Sequence, residues 1–293
     1  MWVFRGLRAG VVTTRWPDRP DAYAERLRGP ARVLDPSPAT APDLAPPCPT
    51  GAISHQADEG VRLDQGACIQ CGRCVTQRPD VFGWAEGPAS VSLSRRGLVV
   101  PQVPETAANL ARIRAALRER ALAFRRSVHI RHVDAGSDGA DEWEVLALLN
   151  PVYDVHRLGI FFTASPRHAD VLLVTGAGAR GMAAPLRRTY AAMPEPKLVI
   201  AAGSDAISGG LLAAPAGAAQ DRAVQDGAAH DGGVTHGGVG DLIPVDVWVP
   251  GSPPSPFSLL HAILLAVGKA TGPSVGSSPS ACVGGADGSE PAR

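Results

Sequence analysis

Apolar and polar positions along this chain fall into two regimes. From residue 127 to about 270, short apolar runs alternate with segments of helical period. "SVHIRHVDAG", "ADVLLVTGAG", "PKLVIAAGS" and "LIPVDVWVPGSPPSP" read as strands that end in turns, with the apolar runs expected of strands buried on both faces. "DEWEVLALLN", "RGMAAPLRRTYAAM" and "FSLLHAILLAVGKA" read as helices. Such alternation predicts an α/β domain with a parallel sheet. The turns near 136–141, 175–180, 203–206 and 250–253 should then converge at one sheet edge, where open α/β folds place their sites.

Upstream the pattern is finer. "CPTGAI" suits a short turn, and "ISHQADEGVRLD" reads as a hairpin turning near Asp58, Glu59 and Gly60. Residues 105–126 carry Leu110, Ile113, Leu117, Leu122 and Phe124 among alanines, which predicts a helix with an arginine-rich outer face. That face suits solvent, an acidic partner or acidic lipid. The first residues, Val3 to Val12, form a short amphipathic piece, with Trp2, Phe4 and Trp16 flanked by Arg5, Arg8 and Arg15. It fits either a membrane interface or a partner subunit. The division expected is a lead over 1–35, a small α+β unit over 36–100, a linker helix over 101–126 and the α/β domain over 127–270. A flexible insertion is expected over 210–240 and a disordered tail over 271–293.

Composition narrows the function. Formal charge is zero, which argues against nucleic acid as the default partner. No apolar run is long enough to span a bilayer, and the opening residues lack a signal-peptide core. "VTGAG" lacks the full glycine spacing of a nucleotide loop. Cysteine is sparse, so a disulfide framework is not expected.

The cysteines carry the sharpest signal. Cys68, Cys71 and Cys74 stand at i, i+3 and i+6 in "CIQCGRC", a spacing that wraps one face of an iron–sulfur cube. In the two-cluster ferredoxin pattern a fourth cysteine would follow at 78, where this chain has Arg78. The other run would need cysteines near Pro38, Ala41 and Leu44. One site has thus lost every ligand, while Cys48 of "CPTGAI" completes the other with Cys68, Cys71 and Cys74. One [4Fe–4S] cluster is the expected cofactor, and a structural zinc ion on the same four thiolates is the alternative. Cys282, in the Gly/Ser/Pro tail, is expected to be a bystander.

"SPRHADVLLVTG", "MPEPKLVIAAG", "AISGG" and "IPVDVWVPGSPPSP" resemble the B-type (PSST) subunit of respiratory complex I and, more closely, the small subunit of energy-converting [NiFe] hydrogenases. Residues 36–100 resemble the ferredoxin-like subunit of the same complexes, so the chain resembles a fusion of the two. The resemblance implies a flavodoxin-like fold for the α/β domain. It also implies a proximal [4Fe–4S] site on four cysteines, whose positions here hold Asp138, Asp141, Asp205 and Ser252. Three carboxylates and a hydroxyl do not suit a soft iron–sulfide cube, so that site reads as vacated. Compensation by Arg180 or Arg187 with water is the first expectation for the vacated pocket. A hard cation or shared protons are the others. Glu142 stands at the family's acidic position and suits either a proton path or a capping role.

The resemblance thus implies a non-catalytic subunit of an NADH–quinone oxidoreductase-like or hydrogenase-like complex that passes single electrons. Its implied partners are a hydrogenase large-subunit-like or complex I core protein and a membrane-embedded anchor subunit. It would lie in the cytoplasm, peripheral to the inner face of the plasma membrane. The rival implication is a scaffold that passes no electrons through its α/β domain.

Overall fold

The computed structural model describes residues 2–16, 19, 21–37, 48–56, 60–87, 91–101, 107–122, 124, 127–213 and 234–269. The expected tail over 271–293, with Cys282, lies outside the described residues, as do Asp58 and Glu59 of the expected hairpin turn.

The small unit begins with helices α1 (Trp2–Ala9) and α2 (Ala22–Arg26), followed by strand β1 (Arg28–Val33). Strands β2 (Ile53–Gln56) and β3 (Gly60–Asp64) form the expected antiparallel hairpin, and β5 (Val99–Val100) joins them. Between these, α3 (Arg73–Gln77) leads to β4 (Phe82–Glu86). β4 pairs antiparallel with β1, which lies inside the segment read as the lead.

Helix α4 (Ala107–Leu122) leads to the larger domain. Only part of its apolar set is used: Leu117 is buried, whereas Leu122 is 83% exposed. Apolar residues at helical spacing reach a core only where the helix rests on it, and α4 touches α8 (Pro256–Ala266) over a short length.

The larger domain has strands β6 (Val128–Asp134), β7 (Ile160–Phe162), β8 (Val171–Thr175), β9 (Leu198–Ala202) and β10 (Val247–Val249). They form one parallel sheet in the order β7-β6-β8-β9-β10. This is the flavodoxin-like order, with its switch point between β6 and β8. Four of the strands were expected from sequence. β7 was not, because three residues are too short a run for periodicity to mark. Helices α5 (Ala140–Ala147), α6 (Arg180–Ala192) and α7 (Ser204–Ser208) complete the domain.

Alternation along the strands builds two cores. Leu198, Ile200 and Ala202 of β9 face α5 and α8 with Val145, Leu148, Leu260 and Ile263. Val199 and Ala201 face α6 and α7 with Leu186 and Ile207. That second core also takes Ala31, Ala52, Leu63 and Leu98 from the small unit, so the two units share one apolar interior. They are also joined at the sheet edge. Ser92 N–H donates to the Trp248 carbonyl at 2.9 Å, and Trp248 N–H donates to the Ser92 carbonyl at 2.8 Å.

The insertion expected to be flexible over 210–240 is structured at both ends. Residues 210–212 form a helical turn, Thr235 bridges Ala179, and Val239 is fully buried. Low complexity hid one apolar residue that the core could take. Residues 214–233 lie outside the described set.

Candidate functional site

Two sites meet at the carboxyl edge of the parallel sheet. The first belongs to the small unit. Gly51 N–H donates to the Cys48 carbonyl at 3.0 Å, which closes the turn carrying Cys48. Cys68 and Cys71 follow β3 in a loop, and Cys74 sits in α3. All four cysteines line one cavity, with Ala31, Ile53, Leu63, Ile69 and Trp84 as apolar wall. Burial, then the neighbouring thiols, push Cys68 up to about 12, and burial raises Cys74 as well. The Gln70 N–H already points at the Cys68 sulfur, 3.4 Å away.

The donor set fits an iron–sulfur cube: four sulfurs around one cavity, an apolar wall, and a backbone N–H directed at a sulfur. Among the described residues, no three His, Cys, Asp or Glu side chains close on a point to hold a single ion. Arg78, at the position of the absent fourth ligand, pairs instead with Asp80 at 2.7 Å.

The second site gathers the residues at which the sequence suggested a vacated cluster. Gly203 N–H donates to the Val249 carbonyl at 2.9 Å, and Ser204 N–H donates to the Gly251 carbonyl at 2.6 Å. These bonds draw the turn after β9 and the turn after β10 together. Asp141, at the start of α5, leans onto Gly203 so closely that a Cβ there would overlap its carboxylate. Gly203 also has φ +96°, so glycine is required twice over. Asp205 packs against Gly210 in the same way. Asp138 is exposed and caps the turn, accepting from Ala140 N–H at 2.9 Å.

Asp141 is 5% exposed, and burial, followed by the charges of Asp205, Glu142 and Asp138, pushes it up to about 8. Asp205 is raised for the same reasons, burial first and then Asp138 and Glu142. The structure therefore brings the three aspartates together. Ser252 is exposed, one residue beyond the Gly251 that holds α7.

The expected arginine compensation is not what the structure shows. Among the described residues no arginine forms an ion pair with Asp138, Asp141 or Asp205, and Arg187 donates to the Leu242 carbonyl instead. With no arginine paired to it among the described residues, burial favours the protonated form of Asp141.

Glu142, next to Asp141, behaves oppositely. Burial raises it, but hydrogen bonds from Ser137, at 2.6 Å, and from Thr175 outweigh burial and lower it. Because the Thr175 hydroxyl donates to Glu142, it accepts from His132 Nε2, 3.0 Å away. That fixes His132 as the Nε2–H tautomer, and burial keeps it neutral. The chain from His132 through Thr175 to Glu142 crosses the β6/β8 switch point. It borders a cavity of about 450 Å³ lined also by Leu146, Leu149 and Phe162. Sequence reasoning missed His132 and Thr175. Their signal was only that both stand near the ends of adjacent strands.

The two sites touch. The Ser204 hydroxyl, in the turn that holds Asp205, donates to the Cys68 carbonyl at 2.8 Å. Gly66, beside the cysteine loop, sits so near Ile207 of α7 that a Cβ would collide. Gln70 of the cysteine loop borders the same cavity as Pro253 and Pro254.

Residues 139–266 match the family model of the NADH ubiquinone oxidoreductase 20 kDa subunit. Formate hydrogenlyase subunit 7 of Escherichia coli is 32% identical over 172 residues, covering 59% of each chain. The probable membrane-bound hydrogenase subunit mbhJ of Pyrococcus furiosus is 36% identical over 144 residues, covering 49% of this chain and 76% of that protein. This chain belongs to the 20 kDa subunit family. It spans 59% of the length of the formate hydrogenlyase subunit. A chain from the membrane-bound sulfane sulfur reductase, an archaeal respiratory membrane complex, aligns at 28% identity with a TM-score of 0.35. The alignment covers 51% of this chain and 71% of that one. Among the described residues of this family member, no helix is long and apolar enough to cross a membrane.

Proposed function

We propose that this family member is an electron-transfer subunit of a complex I-like or energy-converting hydrogenase-like assembly at a membrane. It carries one [4Fe–4S] cluster on Cys48, Cys68, Cys71 and Cys74. The observation that carries this reading is the set of four thiols lining one apolar-walled cavity next to a sheet edge that has no thiols of its own. A cubane bound there supplies one-electron transfer. The Gln70 N–H, aimed at a ligand sulfur, favours the reduced, more negative state. Ser204 fixes the cysteine loop against the α/β domain, so the loop keeps one position over α7.

Asp138, Asp141, Asp205 and Ser252 bind no second cluster in this reading. The partners are a large-subunit-like core protein and a membrane-embedded subunit, which hold the chain at the inner face of the plasma membrane. Glu142 accepts hydrogen bonds from Thr175 and Ser137, which favour its ionised form. A second reading, a scaffold that carries no electrons through the α/β domain, is favoured by the buried carboxyl of Asp141 where a ligand thiolate would stand.

Iron and sulfide analysis with electron paramagnetic resonance on anaerobically purified protein tests the first reading. About four irons and four sulfides per chain, with a reducible cubane signal, are expected. Eight irons would refute the vacated site, and stoichiometric zinc without visible absorbance would refute the cluster.

A further inference from the structure

One feature of the chain plays no part in electron transfer. Helix α1 and the residues after it turn their apolar side chains outward. Phe4 and Leu7 are each 75% exposed, Val3 is 50% exposed, and Val11 and Val12 extend the surface at 84% and 52%. At helical spacing Val3, Leu7 and Phe4 share one arc, and Arg5 and Arg8 lie beside it, both exposed. Among residues 2–16 there is no acidic side chain, while Arg5, Arg8 and Arg15 supply three positive charges.

The segment is not adrift. Directly after it the chain is pinned to the larger domain. Thr13 Oγ1 donates to the Pro151 carbonyl at 2.8 Å, and Thr14 N–H donates to the Val152 carbonyl at 2.7 Å. The Trp16 ring meets Phe257 and His261 of α8 edge-on at 5.4 and 5.6 Å. The core therefore holds residues 13–16 and leaves the apolar arc before them uncovered.

We infer that residues 2–12 are a reversible anchor for an anionic lipid surface. Charge complementarity selects this occupant: an apolar arc edged only by arginines suits an interface of acyl chains and negative headgroups. One short helix gives a weak and salt-sensitive attachment, which adds to whatever the partner subunits provide. The inference does not depend on the cluster, and its failure leaves the electron-transfer reading intact.

The test is co-sedimentation of the full-length protein with vesicles of phosphatidylcholine alone or mixed with phosphatidylglycerol. The wild type is expected to pellet with the mixed vesicles and to be released by added salt. Arg5→Gln with Arg8→Gln should weaken binding ~25-fold, from ~5-fold per arginine. Phe4→Glu with Leu7→Glu should leave the protein in the supernatant with its far-ultraviolet spectrum and iron content unchanged. Wild type that ignores the mixed vesicles, equal binding to neutral vesicles, or a Phe4→Glu/Leu7→Glu protein that still pellets would each overturn the inference. If the wild type ignores lipid but that double variant loses a co-purifying subunit, the arc faces protein and the inference fails.

Discussion

The cysteine cavity and the aspartate cluster face each other across one hydrogen bond, and both solve the same electrostatic problem. Each gathers groups that repel one another once ionised and removes part of the set from water, Cys71 and Asp138 staying exposed. In the cysteine cavity burial drives Cys68 up to about 12, and in the aspartate cluster it drives Asp141 up to about 8. The remedies differ in kind. Thiolates in an apolar cavity can be offset by a soft, positively charged iron–sulfide core, whereas burial of a carboxyl in a tight turn favours its protonated form. Buried carboxyls can thus stand in a tight turn without a counter-charge, provided that they can go neutral.

The largest effect should come from the cysteine side. Cys68→Ala or Cys48→Ala is expected to abolish the cubane or reduce it to a three-iron form, read as iron content and visible absorbance. Cys282→Ala should leave both unchanged. Cluster content equal to wild type in Cys48→Ala would break the assignment of that residue to the cavity.

Next comes an attempt to make the two sites alike. Changing Asp138, Asp141, Asp205 and Ser252 together to cysteine should restore a second cluster, raising iron to about eight per chain after reconstitution. A folded protein that still takes up four would show that the turns have drifted from cluster geometry, with the exposed Ser252 the first suspect.

A smaller effect separates the carboxyls from the thiols by pH. Asp141 binds its proton more tightly in the folded state, at about 8 against an ordinary 3.8. Its contribution is most favourable below the unfolded value and falls as pH rises from there to about 8, becoming flat above. Asp141→Asn should remove that slope. At pH 8 its thermal midpoint should exceed that of the wild type by about 2–4 °C for each kcal/mol relieved. Parallel midpoint–pH curves for the two proteins would mean that Asp141 is ionised in the fold.

The smallest effect concerns the bond between the sites. Ser204→Ala removes one hydrogen bond to the Cys68 carbonyl, a loss of about 1 kcal/mol. It should speed cluster loss to a chelator several-fold while leaving initial iron content unchanged.

How much of this was legible in the sequence depended on the range of the cause. The parallel sheet was readable because β8 and β9 are buried on both faces and show it as unbroken apolar runs. The cysteine set was readable because its spacing is local except for Cys48. The convergence of three aspartates could be expected from strand order alone. The raised pKa of Asp141 could not, since it follows from burial and from which charges pack beside it. β7 was too short to register, and His132 and Thr175 meet only because β6 and β8 are adjacent. Leu122 shows the reverse error: it has helical spacing and no neighbour to receive it.

The paired bonds between Ser92 and Trp248 bear on how such a machine behaves when diluted. A redox carrier on its own polypeptide must find its dock, and the fraction docked depends on how much of each is present. Here the cysteine loop and the α/β domain share a backbone, a common interior and a two-bond clasp at the sheet edge. Docking is intramolecular, so it does not depend on the concentration of a second chain. Their one-to-one ratio is set when the chain is translated, and dilution that would scatter a two-protein assembly leaves the spacing between cysteine loop and sheet unchanged.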